Sequence, residues 1–570
     1  MNIGFTIIHN VDVNHPYQET AQQQLRFVSP TSKKQSVFYY STNDKFENDK
    51  IFAENNRFIL GLDGAILNLQ ELKNSYQISS LQQLLIHLFE KYQTQIPNHL
   101  EGEFCGFIFD KNKEQLFVFT NHTGSRKLYY AHHHETVIVA SELESIANFH
   151  KASKTVPKLN RFAAYQLLTF SGMLGNHTLI KGSKRLIAGE YLLVQKGKTE
   201  IDKYHDYNNI ALSDKSESTL MAEMDAIFKS ALVQQLEKDR EYNYQHIGTL
   251  SGGLDSRMIV MLSHQLGYPM ESFCFSQSNY HDEIIARKIA KDLGTELKFV
   301  PLDSAAHLFD FEENLKAYDG LSFYINAAHF AYGLKQLDLQ SYGLIHTGLI
   351  GDALLGSILS QPRVVPPKVE HKLVSDMLYF KIKSASQELA SNYAAEDPFY
   401  LYNRSFNVTI AGTYVCTPYS YHATPFMHPE FIAYTLSIPP AIKFDQRLYL
   451  KWINQYHPDI TRYKWERTRM RPTSHQKTQL SRYTKKLEQI YRRMTGQMHK
   501  FTMTPYAHWY AKNKKVQIFF DQLFEDHRHL LSGDAELAED ATALFTEGNV
   551  PEKSMVLTLL GAMDLFGLEV

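Results

Sequence analysis

Cysteine and tryptophan are scarce, with three of each in 570 residues. Cys105, Cys274 and Cys416 stand far apart and form no C-x-x-C pair. This excludes a disulfide framework and a cysteine zinc site, and it fits a reducing compartment, so a cytoplasmic location is expected. Charge of one sign is also missing: 59 Lys and Arg face 61 Asp and Glu, a net charge of -2. No chain-wide field therefore gathers nucleic acid or a membrane surface. No apolar run reaches the length of about 18 residues that a membrane span needs, and no charged-then-apolar signal pattern opens the chain. What remains is an ordinary globular composition, 44% hydrophobic, long enough for two large domains or three small ones.

The most informative stretch is Ser251-Gly252-Gly253-Leu254-Asp255-Ser256. An apolar run from His246 to Leu250 precedes it. Ile259, Leu262 and Leu266 follow at helical spacing, closed by Gly267. The pattern predicts strand, tight glycine turn, helix. Such a turn presents backbone N–H groups and the positive end of a helix dipole, an anion site suited to phosphate. Ser251 and Ser256 add hydroxyl donors. Asp255 would repel phosphate unless it holds a divalent cation that the phosphates share. The Walker pattern does not fit; the alternative is an ordinary strand-to-helix turn.

Over the first two hundred residues, short β-rich runs alternate with polar turns: 57–62, 104–109, 116–120 and 136–140. They predict antiparallel sheets in a layered α+β domain. One amphipathic helix is expected over Leu81 to Tyr92, with Leu84, Leu85, Leu88 and Phe89 on one face. His132-His133-His134 falls in a hairpin turn, where three adjacent imidazoles cannot all face one ion. The polar stretch 212–218 marks the boundary, giving domains 1–211 and 212–570. Beyond it, strands alternate with helices: 271–276 is a strand, 282–293 a helix and 296–300 a strand. This predicts a parallel sheet covered on both faces. Ligands of such sheets sit beyond the carboxyl ends of the strands. A second glycine-rich turn, Thr347-Gly348-Leu349-Ile350-Gly351-Asp352, follows another strand. Asp352 either caps the next helix or supplies a second carboxylate for Mg²⁺. The segment 462–500 is basic and dotted with aromatics, either a solvated helical face or a peptide-binding surface.

The S-G-G-x-D-S loop resembles the pyrophosphate loop of the asparagine synthetase family, whose enzymes split ATP into AMP and pyrophosphate. Phe58 to Asn68, Gly124 to Tyr130, Ala140-Ser141-Glu142 and Lys181 to Tyr191 resemble, in order, segments of class II glutamine amidotransferase domains. The last resembles that domain's closing hairpin. The resemblance, from Met1 to about Pro472, implies a glutaminase-like layered sandwich of the Ntn type. After it should come an ATP-pyrophosphatase domain of the adenine nucleotide α-hydrolase-like kind. It implies ATP and Mg²⁺ as cofactors, with Asp255 and Asp352 as metal ligands and catalytic groups. Leu250, Ser251, Gly252, Gly253, Ser256, Phe275, Thr347 and Gly348 would contact the nucleotide, Leu250 and Phe275 beside the adenine. Lys464, after Pro458-Asp459-Ile460, matches the lysine that stabilises charge on the adenylate and the tetrahedral centre, the kind of fixed cation expected beside a developing oxyanion. Arg462 and Arg467 are further candidates for phosphate contacts.

Three departures shape the functional expectation. The family's glutaminase nucleophile is a cysteine exposed as residue 1 after Met removal, and Met1-Asn2 offers none. The Asn-Gly of the glutamine site is Asp63-Gly64, and Cys105 lies in an apolar strand, so no glutamine hydrolysis is expected. Leu349 occupies the position of a glutamate in asparagine synthetases and a tyrosine in β-lactam synthetases. The expected reaction is ATP-driven amide formation through an acyl-adenylate on a peptide or small-molecule carboxylate. The closest fit is macrolactam closure as in lasso peptide cyclases, with a leader peptidase as a partner. The alternatives are a β-lactam synthetase-like or ammonia- or amino-acid-dependent ligase on a small metabolite, and a nucleotide-binding scaffold.

Overall fold

A computed structural model describes residues 3–570, apart from the side chains of Lys477, Leu480 and Arg482. The first twelve strands are β1 (Gly4–Asp12), β2 (Gln23–Val28), β3 (Lys34–Ser41), β4 (Ile51–Glu54), β5 (Phe58–Ile66), β6 (Gly102–Asp110), β7 (Gln115–Thr120), β8 (Tyr129–His133), β9 (Thr136–Ala140), β10 (Ser183–Arg185), β11 (Glu190–Gln195) and β12 (Lys198–Lys203). They form two six-stranded sheets, ordered β10-β8-β9-β1-β3-β2 and β12-β11-β7-β6-β5-β4. Neighbouring strands in both sheets run antiparallel. All nine residues of β5 are buried, because both of its faces are covered. Ile59 meets Cys105, Phe107 and Phe109 between the sheets. Phe58, Leu60 and Leu62 point the other way, onto Leu84, Leu85 and Leu88 of the helix Leu81–Tyr92. The domain is the expected α+β layered sandwich. The stretch 181–191 is not one hairpin: β10 pairs with β8 in one sheet, and β11 pairs with β7 and β12 in the other. Of the histidine run, His132 and His133 end β8, paired with Val137 and Thr136, and only His134 lies in the β8–β9 turn; His132 and His134 are exposed.

The second domain opens with the helix Glu217–Glu241, capped by the Ser216 side chain. Its sheet contains β13 (Gln245–Thr249), β14 (Glu271–Ser276), β15 (Leu297–Pro301), β16 (Tyr342–His346) and β17 (His422–Ala423). The order is β15-β14-β13-β16-β17, with all neighbours parallel. The chain runs outward from β13 to one edge, then returns to add β16 and β17 on the other side. The switch point therefore lies between β13 and β16, where open parallel sheets leave a crevice. The two domains share one core. The buried terminal helix Val550–Phe566 packs against the helices Leu143–Ala152 and Arg161–Phe170 of the first domain. Residues beyond 500, which carry no chemical motif, thus bind the two domains together.

Candidate active site

At the carboxyl ends of β13, β14 and β16 lies a cavity of about 760 Å³. Ser251, Gly253, Asp255 and Ser256 line it from the glycine turn, Phe275 from β14, and Thr347, Gly348 and Asp352 from the turn after β16. The two glycine-rich stretches, almost a hundred residues apart in sequence, thus meet at the switch point. Gly348 makes this contact possible: a Cβ there would lie 2.5 Å from the backbone of Asp255 and Ser256. A Cβ on Gly351 would lie 2.8 Å from the Asp255 carboxyl carbon and from the Phe426 ring.

The glycine turn is held by its own hydrogen bonds. Ser256 Oγ accepts from the Ser251 N–H (3.1 Å), and Ser251 Oγ accepts from the Gly253 N–H (3.1 Å). The Gly252 N–H donates to Asp282 Oδ1 (2.6 Å). Two expectations need correcting here. Gly252 does not line the cavity, and its N–H is taken by a carboxylate. Leu250 is fully buried in the core behind the turn, and Thr249 faces the cavity instead, because side chains alternate along the strand. No side chain caps the helix Leu254–Gln265 at Gly253, so its first turn faces the cavity as an anion site.

Asp255 and Asp352 stand side by side. The Asp352 N–H donates to Asp255 Oδ2 (2.9 Å), and the Tyr449 hydroxyl donates to Asp255 Oδ1 (2.7 Å). Burial, followed by the charge of Asp352, pushes the Asp255 carboxyl up to about 7. Two adjacent carboxylates at an anion site suit a divalent cation, which relieves their repulsion. The same two residues that the sequence nominates would hold Mg²⁺. Behind the turn, the Asp282 carboxyl is pushed up to about 6 by burial and by Glu466.

Lys464 is not brought into the cavity. Its side chain is exposed, between the buried Tyr463 and Trp465. Its backbone is fixed from below, where fully buried Arg257 donates from Nη2 to the carbonyls of Gly252 (2.6 Å) and Lys464. Trp465, Glu466 and Arg467 line the cavity in its place. Arg467 Nη1 donates to Gln446 Oε1 (2.6 Å), which tethers the guanidinium at the wall. Of the two arginines nominated beside Lys464, Arg467 is thus at the site. Arg462 is exposed and pairs with Asp459 (3.4 Å). Sequence reading passes over Tyr449, Arg257 and Asp282. Arg257 directly follows the loop motif and is the one most open to detection. The other two come from remote segments with no local pattern.

In the first domain, Asp63 is fully buried and paired with Arg126. It also accepts from Thr42 Oγ1 (2.6 Å), the Tyr40 hydroxyl (3.1 Å) and the Tyr421 hydroxyl (3.2 Å). Burial alone would raise its carboxyl, but Arg126 and then Lys50 hold it below the usual range. Cys105, in β6 opposite Asp63, is buried, and burial pushes its thiol up to about 12, an inert state for a cysteine. The absence of a nucleophile at Met1-Asn2 concerns positions outside the described residues. Among the described residues, one further group has metal-ligand spacing: Asp239, His246 and His346. Its atoms are committed to one another, since Asp239 Oδ2 hydrogen-bonds both His246 Nδ1 (2.8 Å) and His346 Nε2 (3.0 Å). No helix among the described residues is long and apolar enough to cross a membrane.

Residues 45–205 match the glutamine amidotransferase domain family, and residues 223–382 match asparagine synthase. The amidase chry2 of Gibberella zeae is 26% identical over 251 residues, 40% of this chain and 36% of that protein. The glutamine-hydrolyzing asparagine synthetase of Homo sapiens is 23% identical over 402 residues, 66% of this chain and 63% of that protein. The match thus spans little more than a third of the fungal amidase's length and under two thirds of the human enzyme's. Among solved structures, a glutamine phosphoribosylpyrophosphate amidotransferase from B. subtilis aligns over 77% of this chain and 94% of its own, with 13% identity and a TM-score of 0.23.

Proposed function

We propose that this chain is a divergent member of the asparagine synthetase-like proteins and forms amide bonds at the expense of ATP through an acyl-adenylate. The observation that carries this reading is the meeting of the Ser251–Ser256 turn with Asp255 and Asp352 in one cavity at the switch point of the sheet. A substrate carboxylate oxygen attacks the α-phosphorus, the bond from that phosphorus to the bridging oxygen breaks, and pyrophosphate leaves. An amine nitrogen then bonds to the acyl carbon, AMP leaves with the carboxylate oxygen, and the amine gives up a proton.

The chain's own residues have distinct parts in this scheme. The uncapped start of the helix Leu254–Gln265 and the hydroxyls of Ser251 and Ser256 receive the phosphates. Phe275 offers a ring face for the adenine. Asp255 and Asp352 would hold Mg²⁺, which neutralises charge on the departing pyrophosphate. Arg467 supplies a tethered cation where oxyanion charge develops. Leu349 lines the cavity without an acid or phenol.

The reading includes no glutamine hydrolysis. Buried Asp63 with its Arg126 partner, and the inert Cys105, support this. The amine then comes from the substrate itself or from solution. Macrolactam closure of a peptide, between its N-terminal amine and an Asp or Glu side chain, is the form we favour. Its support is the helix His475–Met494 beyond the cavity-lining loop, which exposes Tyr483, Leu487, Ile490, Tyr491 and Met494 along one apolar stripe among basic residues. Such a stripe suits an extended partner. The test is pyrophosphate release from ATP with candidate peptides, read beside a product lighter than the linear peptide by the mass of one water. ATP consumption that tracks glutamate release from glutamine would overturn the reading.

A further inference from the structure

The cavity has a second cationic end that nothing in the nucleotide site uses. Arg404 lies in the π-helical segment Leu401–Thr409, which packs on the turn Ala353–Ser357 just after Asp352. Wide turns of this kind recur at functional sites. Arg404 and Lys372 both line the cavity. Phe275 lies on β14, to one side of β13, whereas the turn that supports Arg404 follows β16, to the other. Arg404 is thus packed on the β16 side of the cavity, and Phe275 is carried by the β14 side.

Neither cation has a counterion among the described residues. No carboxylate there pairs with Arg404, and its buried Nη1 has no hydrogen-bond partner. Lys372 rests its ammonium over the Tyr400 ring, 4.0 Å from the centroid, and forms no ion pair. The acids that act on it are Glu396 and Asp352. Glu396 is committed to the Ser360 N–H and hydroxyl (both 2.8 Å), and Asp352 accepts from the Ser357 hydroxyl (2.9 Å). Burial holds both cations below their ordinary range, and for Lys372 the neighbouring Arg404 adds to this. A desolvated guanidinium without a partner is costly, and natural interiors pair such groups. A cavity wall that keeps two such cations is built for an anion that arrives with a ligand, and the guanidinium fork matches an oxyanion in two-point contact.

We infer that Arg404 and Lys372 form a receptor for a second anionic group, carboxylate or phosphate, on the acyl substrate, distinct from the carboxylate that is activated. This deepens the adenylation reading and rests on it for the identity of the substrate as an acid. In a peptide substrate the group would be another acidic side chain or the terminal carboxylate.

The test uses the full chain with Mg²⁺ and α,β-methylene-ATP, and reads thermal stability and calorimetric binding of glutarate, 3-phosphonopropionate and butyrate. The expected result is that a dianion raises the melting temperature of the wild type and butyrate does not. Arg404→Met should melt higher than wild type without ligand, because it removes the unpaired cation, and should bind the dianion at least tenfold more weakly. Arg404→Lys keeps the charge but loses the two-point contact, so its dianion affinity should fall between those of the wild type and Arg404→Met, and all three proteins should bind the ATP analogue equally. Preference between glutarate and the phosphonate distinguishes the two anion types. The inference is overturned if the wild type does not distinguish dianion from monoanion, if Arg404→Met binds the dianion like wild type, or if it loses the ATP analogue in parallel, which would assign Arg404 to the phosphates. Failure of the wild type to bind the ATP analogue, with dianion binding intact, would count against adenylation alone.

Discussion

The backbone N–H of Asp352 donates to the Asp255 carboxylate at 2.9 Å, so the second carboxylate of the site is positioned by the first. One carboxylate organises the turn that carries the other, and the pair then shares a like-charge repulsion that a cation relieves. Asp255→Asn keeps an oxygen able to accept that hydrogen bond but removes the charge. We expect Asp255→Asn and Asp352→Asn each to lower pyrophosphate release by about 10³, corresponding to several kcal/mol at the transition state. Circular dichroism should show an unchanged fold. Near wild-type turnover at limiting Mg²⁺ in either variant would remove that residue from the metal site.

Glu103 gives a pH-dependent prediction for the other domain. Burial pushes its carboxyl up to about 7, against opposing effects from the Ser125 hydroxyl and Arg126. Between the ordinary glutamate value, near 4.5, and about 7, the folded state binds more protons than the unfolded state. Stability contributed by this group is therefore full below that window and falls as pH rises through it. Glu103→Gln imitates the neutral acid. It should match wild type at pH 4.5 and exceed it at pH 8 by up to about 3 kcal/mol, the cost of ionising the buried group. Urea unfolding at both pH values measures this, and a pH-independent difference would show that Glu103 ionises freely.

How much of this was legible in the chain depends on the range of the signal. The edges of β9, β14 and the helix Leu81–Tyr92 follow from local pattern, because the helix buries one repeating apolar face and the two strands are short apolar runs between polar turns. The Ser251 turn and Asp352 were legible because glycine and carboxylate spacing is a local pattern. Their contact was not, since it depends on Gly348 approaching Asp255 across a parallel sheet. Arg404 reaches the cavity, and the buried Tyr449 reaches Asp255, from helices with no motif of their own, so only the fold reveals them. Lys464 and Arg467 lie three residues apart in one recognisable segment. The pattern located the segment, but which side chain it turns toward the cavity is set by the buried neighbours Tyr463 and Trp465.

The Asp63–Arg126 pair sits at the interface of the two domains, touching Tyr421 of the second. Removing one partner leaves an uncompensated buried charge. Arg126→Met is expected to cost about 3–5 kcal/mol in urea unfolding. The double variant Asp63→Leu with Arg126→Met should recover most of that loss, because it removes both desolvation costs. Equal destabilisation by the single and double variants would mean that Asp63 is held by its hydroxyl donors rather than by the ion pair.

Arg467 and Lys464 provide the sharpest comparison, because they compete for one role. Both are open to solvent in the free chain, so what separates them is where each is held. A cation stabilises developing oxyanion charge when it is fixed beside the reacting atoms, and losing one such preorganised donor costs about 10²–10³ in rate. Arg467 meets this condition: it lines the cavity, is tethered to Gln446, and lowers the Asp255 carboxyl against the pull of burial. A bound nucleotide and acyl group would then displace water from around it. Lys464 lies outside the lining, and its structural contribution is the carbonyl that Arg257 grips, which alanine retains. We therefore expect Arg467→Ala to lower amide formation by about 10²–10³ and Lys464→Ala by less than about tenfold. Pyrophosphate exchange measured beside amide product separates adenylation from the second step. If Lys464→Ala instead abolishes product while exchange survives, the lysine swings into the cavity once the adenylate forms, and the assignment of Arg467 to that step is wrong.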